Sequence, residues 1–383
     1  MDGARNLKLH RRELFGAAAA MIAAARFDMI GRARAQASGA KQLDAPSFGP
    51  LKQIDAGTLN IGYAESGPAN GPPVLLLHGW PYDIHAFAEV APILAAAGYR
   101  VVVPYLRGYG TTRFLSSETP RNGQQSAVAV DAIALMDALK IDKAVLGGFD
   151  WGARTADIVA ALWPERCNGL VSVSGYLIGS QASGKAPLPP QAELEWWYQF
   201  YFATERGRAG YDKNRRDFSK LIWRQASPKW NFDDATFDRT AASFDNPDHV
   251  AIVIHNYRWR LGLAEGEPKY DALEERLARA PVIAVPTITM EGDANGAPHP
   301  AGTSTEPSRV ASDIICRKRR RRRSLRPSST SSEPEMDVDQ YALRALHPSR
   351  PSNRSSETEP GPKVRIASAI AAQYKWKFAQ PSG

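Results

Sequence analysis

One short segment of the sequence combines an acidic side chain with glycines that could expose it. Residues 148–152 read Gly-Phe-Asp-Trp-Gly; they follow an apolar run that begins at Ala144 and precede a stretch with helical periodicity. A sharp strand-to-helix turn strains its central residue, so small neighbours must flank it. The pattern predicts that Asp150 stands exposed above a helix N-terminus, which favours negative charge and suits a carboxylate nucleophile. The alternative is a loop aspartate that only caps the helix.

The elements around this segment predict the fold class. Continuous apolar runs at 74–77, 99–103, 144–148 and 169–173 alternate with helical patterns at 87–94, 124–139 and 153–163. Runs of this kind suit strands that are buried on both faces, so the class is α/β with a doubly wound, mostly parallel sheet. Residues 178–264 are rich in aromatic and charged residues and read as helices, and the sheet pattern resumes at 281–290. This arrangement predicts a helical cap domain inserted between two strands.

Three motifs occur in the order found in a known family. They are His-Gly-Trp-Pro at 78–81, Leu-Arg-Gly-Tyr-Gly at 106–110 and the Gly-Phe-Asp-Trp-Gly segment. Together they resemble the epoxide hydrolase and haloalkane dehalogenase branch of the α/β-hydrolase superfamily, over roughly residues 55–300. That branch usually has an aspartate before the second motif, where this chain has Tyr105.

The resemblance implies a fold and a mechanism. The fold would be the α/β-hydrolase fold. Asp150 would open the substrate to form an alkyl-enzyme ester, and a His–Asp pair would then drive water onto that ester. The backbone N–H groups of Trp80 and Trp151 would form the oxyanion hole.

The cap sequence favours an epoxide over a halide as the substrate group. An epoxide needs an acid for the departing alkoxide, and a tyrosine hydroxyl can donate from a dry pocket. Residues 198–202 and 256–258 resemble the two cap segments that carry the ring-opening tyrosines, which would be Tyr198 and Tyr257. The packing interpretation of these tyrosines stays open. A haloalkane dehalogenase is the alternative, since Trp151 follows the nucleophile as a halide-binding indole would, although Trp80 stands where many dehalogenases have asparagine.

The acid partner can be placed, but the base cannot. The family's carboxylate follows a late strand, which makes Asp293 the choice and Glu291 the second reading. The histidine should follow it by roughly 25 to 35 residues, after a final strand. The chain has seven histidines, and His299 comes too soon whereas His347 comes too late and without a strand before it. The remaining five are His10, His78, His85, His249 and His255.

The composition changes abruptly after Pro300. Residues 301–383 contain an Arg/Lys run at 317–323 and a stretch rich in Ser, Pro and Glu, with almost no apolar periodicity. The interpretation is a low-complexity, unfolded basic tail, introduced by a frameshift, fusion or truncation that replaced the expected C-terminus. We therefore expect a hydrolase that lacks its base, or a non-catalytic hydrolase-like protein.

The charge distribution and the lack of a ligand cluster in the sequence indicate which partners to expect. Residues 38–300 carry 25 Lys/Arg against 29 Asp/Glu, so the net charge of +8 comes from the two ends. The middle gives no electrostatic reason to expect nucleic acid or a membrane surface. The sequence shows no ligand cluster for a metal, and we expect no cofactor. The expected partner is a small apolar epoxide or haloalkane.

The first 37 residues predict an export signal. Arg11-Arg12 precedes an alanine-rich run, and Ala-Gln-Ala at 35–37 would place cleavage before Ser38. The string resembles a twin-arginine signal, so the expected location is the periplasm or outside the cell. The alternative is an amphipathic or disordered leader. No apolar stretch elsewhere is long enough to span a membrane, and Cys167 is expected to be a buried small hydrophobe.

Overall fold

An eight-stranded sheet forms the centre of this chain, whose structure is a computed structural model that describes residues 48–175 and 178–290. The strand order is β1-β2-β4-β3-β6-β7-β8, and β5 pairs with β2. The strands are β1 (Lys52–Ala56), β2 (Leu59–Ser66), β3 (Pro73–Leu77), β4 (Arg100–Pro104), β5 (Arg113–Phe114), β6 (Ala144–Phe149), β7 (Cys167–Val173) and β8 (Thr287–Met290).

The direction of the strands confirms the predicted fold class. The five strands β4, β3, β6, β7 and β8 run parallel to one another, whereas β1, β2 and β5 add an antiparallel edge. The apolar runs of β3, β4 and β6 are almost wholly buried, as expected of strands covered on both faces. The sheet is therefore mixed and mostly parallel, and its carboxyl edge is where a ligand site is expected.

Three helices connect the central strands. α2 lies against β1 and against α3, and α3 packs on β3, β6 and β7, while α1 contacts β4 and β2. α1 and α3 each follow a buried strand, and α2 lies between the buried strands β4 and β6 after the short edge strand β5, which is the βαβ alternation that the periodicity predicts. Their bounds are α1 (Val90–Ala96), α2 (Gln125–Ala138) and α3 (Trp151–Leu162).

A helical insertion separates β7 from β8, as expected of a cap. In the described part of this insertion seven α-helices occur and no strand. Helices α4 to α9 fall in the predicted cap range, and α10 follows it and contacts α3. They are α4 (Gln181–Gly184), α5 (Pro190–Glu195), α6 (Tyr198–Ala203), α7 (Glu205–Ala226), α8 (Asp234–Ala241), α9 (His249–Arg260) and α10 (Asp271–Ala278).

Several sequence predictions fall on other parts of the chain. The export signal at 1–37, the tail at 301–383 and Asp293 lie outside the described residues. Cys167 is buried at the start of β7, as expected. Among the described helices, none is both long enough and apolar enough to cross a bilayer.

Candidate active site

Asp150 occupies a strained turn between strand and helix. β6 ends at Phe149 and α3 begins at Trp151, so Asp150 alone joins them, with φ of 50° and ψ of −115°. Side chains rarely adopt such angles, and strain of this kind concentrates at functional sites. A Cβ at Gly152 would overlap the carbonyl oxygen of Leu77, so no larger residue fits there. The backbone thus has the geometry expected of a nucleophile elbow.

The turn after β3 places a backbone donor on the Asp150 carboxylate. The register pairs Leu77 of β3 with Gly148 of β6, which brings the two turns to the same edge of the sheet. The N–H of Trp80 donates to Asp150 Oδ1 at 2.9 Å. Gly79 allows this approach, because a Cβ there would lie 2.6 Å from the Cβ of Asp150. Trp151 is the first residue of α3, where a helix leaves its N–H groups unpaired.

The two tyrosines predicted from the cap meet above the Trp80 indole. Tyr198 begins α6 and Tyr257 lies in α9, and their ring centroids are 5.5 Å apart at an interplanar angle of 84°. The Trp80 ring lies 5.0 Å from Tyr198 and 5.2 Å from Tyr257, between centroids. Residues far apart in sequence therefore converge on one aromatic cluster beside Asp150.

Both tyrosines are held in the protonated form. Burial raises the pKa of Tyr198 to about 12, and the negative charge of Asp150 acts in the same direction. Burial also raises the pKa of Tyr257 well above its ordinary value, and Tyr198 and Asp150 add to this. A phenol that stays protonated at neutral pH can donate its proton to an alkoxide, which is the role that ring opening requires.

A cleft of about 610 Å³ opens between the sheet edge and the cap. Asp150, Trp80 and Tyr198 all line it, as do Tyr82 and Trp259. Its lining is mostly apolar with a few polar groups, which is typical of small-molecule sites. Tyr257 is 1% exposed and packs against Tyr198 rather than lining the cleft, so Tyr198 is the more accessible of the two tyrosines.

A directed chain of hydrogen bonds holds the Trp80 side chain. His249 Nδ1 lies 2.9 Å from the carbonyl oxygen of Gly108, which can only accept, so Nδ1 carries the proton and Nε2 is free to accept. The hydroxyl of Tyr211 donates to Nε2 at 2.9 Å and accepts from Trp80 Nε1 at 3.0 Å. Burial lowers the pKa of His249 to about 3, so the ring stays neutral and the chain stays intact.

We expect Tyr211→Phe to destabilise the fold by about 2 kcal/mol, because it leaves the buried Trp80 N–H and His249 Nε2 without their partner. Denaturant unfolding monitored by circular dichroism measures the change. Tyr109→Phe is the matched control: Tyr109 is also fully buried, but its hydroxyl has no hydrogen-bond partner within residues 48–175 and 178–290. Equal stability of the two variants would contradict this role for the chain of hydrogen bonds.

The Leu-Arg-Gly-Tyr-Gly motif at 106–110 has a structural role between the core and the cap. Arg107 is buried and forms two bonds to the Asp131 carboxylate, of 2.6 and 2.7 Å. Gly108 has φ of 78° and sits against Ile252 of α9. Tyr105, which precedes the motif, is buried, and its ring takes the space above Gly110, where a Cβ would lie 2.5 Å from it. The motif therefore joins the core to the cap helix that carries Tyr257.

None of the four histidines in the described ranges is hydrogen-bonded to Asp150. His78 is buried in the turn after β3, where burial lowers its pKa to about 4, and its two hydrogen bonds to backbone groups hold this turn. The histidine partners are Leu106 N–H and Gly79 O for His78, Asp83 for His85, Gly108 and Tyr211 for His249, and Gly123 and Glu265 for His255.

The mostly parallel sheet, the elbow after its central strand and the helical insertion together define an α/β-hydrolase fold. Residues 72–215 match the family model described as alpha/beta hydrolase fold. The chain is 34% identical over 164 residues to epoxide hydrolase B of Mycobacterium tuberculosis, covering 39% of this chain and 46% of that protein, less than half its length. It is 36% identical over 245 residues to an epoxide hydrolase of Caballeronia sordidicola, covering 59% and 71%.

A solved structure agrees with these sequence relatives. A crystal structure of a Klebsiella pneumoniae protein, provisionally assigned as an epoxide hydrolase, superposes with a TM-score of 0.66 at 69% identity. The match covers 67% of this chain and 85% of that one. This chain belongs to the epoxide hydrolase-like members of the α/β-hydrolase family.

Proposed function

We propose that this chain opens epoxides with Asp150 as the nucleophile and Tyr198 as the principal acid, assisted by Tyr257. The observation that carries the proposal is the environment of Asp150. Its Oδ1 accepts the Trp80 N–H at 2.9 Å, while Tyr198 lines the same cleft with its hydroxyl held protonated. A fixed carboxylate and an acid therefore face one mostly apolar space.

The first step forms an ester. Oδ2 of Asp150 attacks the less hindered ring carbon, and the bond between that carbon and the ring oxygen breaks. The ring oxygen leaves as an alkoxide and takes a proton from Tyr198, with Tyr257 supporting the transfer. Because Oδ1 already accepts the Trp80 N–H, the attacking oxygen is fixed before the substrate arrives.

The second step releases the product. Water adds to the carbonyl carbon of the ester, Cγ of Asp150, and gives up a proton. The negative charge that develops on Oδ1 is stabilised by the backbone N–H groups of Trp80 and Trp151. The bond between Cγ and Oδ2 of Asp150 then breaks, and the diol leaves with Oδ2 and takes the proton that the water gave to the base. Asp150 is regenerated with an oxygen from the water, and the second water proton returns to the Tyr198 phenolate. This step needs a base, which a histidine oriented by Asp293 would supply. The described histidines are engaged elsewhere and no histidine in the sequence has the expected spacing, so we propose that the reaction stops at the ester.

The geometry favours an epoxide over a haloalkane. A departing halide requires two N–H donors that point at it. The Trp80 indole N–H already donates to Tyr211 at 3.0 Å, which leaves the Trp151 indole without the second donor that a halide site needs. A tyrosine acid beside the nucleophile serves an alkoxide, which must be protonated, and is not needed for a halide.

We expect exposure to a reactive epoxide such as styrene oxide to add one molecule per chain, on the peptide containing Asp150. Mass spectrometry of the intact chain and its peptides measures this. Asp150→Asn should lower the rate of adduct formation on the order of a thousandfold, because an amide is a poor nucleophile.

Two outcomes would contradict the proposal. An unmodified Asp150 peptide, or equal labelling of the Asp150→Asn variant, would favour a non-catalytic hydrolase-like protein. Steady multiple turnover would show instead that a base is present and that the reaction does not stop at the ester.

A further inference from the structure

Two arginines line the cleft close to the reacting groups. Arg154 lies one turn after Asp150 in α3, and its N–H donates to the Asp150 carbonyl at 3.0 Å. Arg260 is the last residue of α9, three positions after Tyr257, and its guanidinium carbon lies 5.0 Å from the centroid of the Tyr257 ring. Spacings of three and four residues put side chains on the same face of a helix. The backbone of Arg154 is therefore bonded to that of Asp150, and the side chain of Arg260 lies beside the Tyr257 ring.

Neither guanidinium has a carboxylate as an ion-pair partner among the described residues. The Nε of Arg154 is buried and forms no hydrogen bond. Burial, followed by the neighbouring charge of Arg154, lowers the pKa of Arg260 to about 10. Two cations that are near each other and partly removed from water need an anion to offset their cost.

The two glutamates that line the cleft have other partners. Glu193 accepts the N–H of Leu188 at 2.7 Å, and Glu195 accepts the side-chain amide of Gln191 at 2.8 Å. Among the described residues that line the cleft, the remaining carboxylate is Asp150, whose charge acts on Arg260. The described lining carries three positive side chains, Arg154, Lys185 and Arg260, and three negative ones, so the two arginines offer an anion unpaired donors rather than an excess of positive charge.

We propose that Arg154 and Arg260 form an anion subsite that binds the carboxylate of the substrate, so that the preferred substrates are epoxy acids. This inference rests on the proposed epoxide-opening function and narrows its substrate class. A planar carboxylate matches the forked donors of a guanidinium and can accept two bonds from each. With the carboxylate on the arginines, the epoxide ring lies between Asp150 and Tyr198. The subsite also offsets the repulsion between an anionic substrate and the anionic nucleophile.

The test compares 3-phenylglycidate, an epoxy acid, with its neutral amide of the same shape. The rate of adduct formation on Asp150 in the full chain is followed by mass spectrometry. We expect the acid to react at least about tenfold faster than the amide. Arg154→Gln and Arg260→Gln should each reduce this ratio by about tenfold, since each removes a charged donor. Arg206→Gln, at an exposed position outside the cleft, is the matched control and should keep the ratio.

The outcomes separate the two proposals. Equal rates for acid and amide in the unaltered chain, or a ratio that the arginine variants leave unchanged, would overturn the anion subsite while the proposed function stands. If neither compound modifies Asp150, the proposed function fails, and tryptophan fluorescence titration with 3-phenylpropionate decides the subsite alone. Binding that is absent for 3-phenylpropionamide and lost in both variants would support it, and absence of binding would overturn it.

Discussion

Removing both cap hydroxyls in Tyr198→Phe/Tyr257→Phe is expected to slow epoxide opening by about a thousandfold, within the range found for general acids. The alkoxide would then have to leave without a proton, in a cleft that is mostly apolar. The rings remain, so the packing against Trp80 is preserved. Of the single variants, Tyr198→Phe should have the larger effect, because Tyr198 lines the cleft and Tyr257 is buried behind it. Single-turnover adduct formation on Asp150 measures each rate.

A matched control and a pH profile separate acid catalysis from packing. Tyr201→Phe removes a hydroxyl from the same helix α6 at a position outside the cleft, and should leave the rate unchanged. An unperturbed tyrosine would lose half its protons near pH 10, whereas burial raises the pKa of Tyr198 to about 12. The rate should therefore show no fall as the pH rises from about 8 to about 10. A double variant that reacts at the original rate would exclude these tyrosines as the acids.

Local patterns in the sequence were sufficient for the buried parallel strands and the elbow, but not for the antiparallel edge of the sheet. The strand after Ala144, the glycines around Asp150 and the start of α3 depend on residues within a few positions of one another, and the structure has them where the pattern predicts. The meeting of the β3 turn with Asp150 follows from the rule that parallel strands end at one edge. The bond from the Trp80 N–H to Asp150 Oδ1 follows from no local pattern, and only the family resemblance indicated that this N–H would serve the site.

The prediction that Tyr198 and Tyr257 serve the site depended on the family resemblance and not on a physical pattern in the sequence. Aromatic residues at helical spacing predict packing as readily as catalysis, and nothing local distinguishes Tyr198 from Tyr201, which lies on the same helix. Only the three-dimensional structure distinguishes them, because α6 and α9 bring the ring centroids of Tyr198 and Tyr257 within 5.5 Å of each other. Their catalytic role, and that of Asp293 outside the described residues, stay predictions.

Two features of the site, the hydrogen bonds of Tyr211 and the position of Arg260, could not be predicted from any pattern in the sequence. Tyr211 lies 131 positions from Trp80 and 38 from His249, so no spacing rule connects them. Arg260 reads as an ordinary basic residue at a helix C-terminus, where positive charge is favoured. The proximity of Arg260 to Arg154 depends on how the cap helix α9 packs in the folded chain. Both features rest on long-range packing, which a single sequence does not reveal.

Gly152→Ala should be the most destabilising single substitution at the elbow. A methyl group there would overlap the carbonyl oxygen of Leu77, and it would also lie 2.8 Å from the carbonyl oxygen of His78. Both obstacles are backbone atoms of β3 and its turn, which cannot swing aside as a flexible side chain could. We expect a loss of about 3 kcal/mol or more in the free energy of unfolding, measured by denaturant titration.

Two other glycines separate steric overlap from backbone strain. Gly98 has φ of 88° with nothing within 4 Å of its Cβ position, so Gly98→Ala carries only the cost of an unfavourable backbone, about 1–2 kcal/mol. Gly49 has neither a positive φ nor a neighbour within 4 Å, so Gly49→Ala should change stability by less than about 0.5 kcal/mol. A Gly152→Ala variant no less stable than Gly98→Ala would mean that the turn can shift. In that case Asp150 would lose the fixed position beside the Trp80 N–H on which the proposed first step depends.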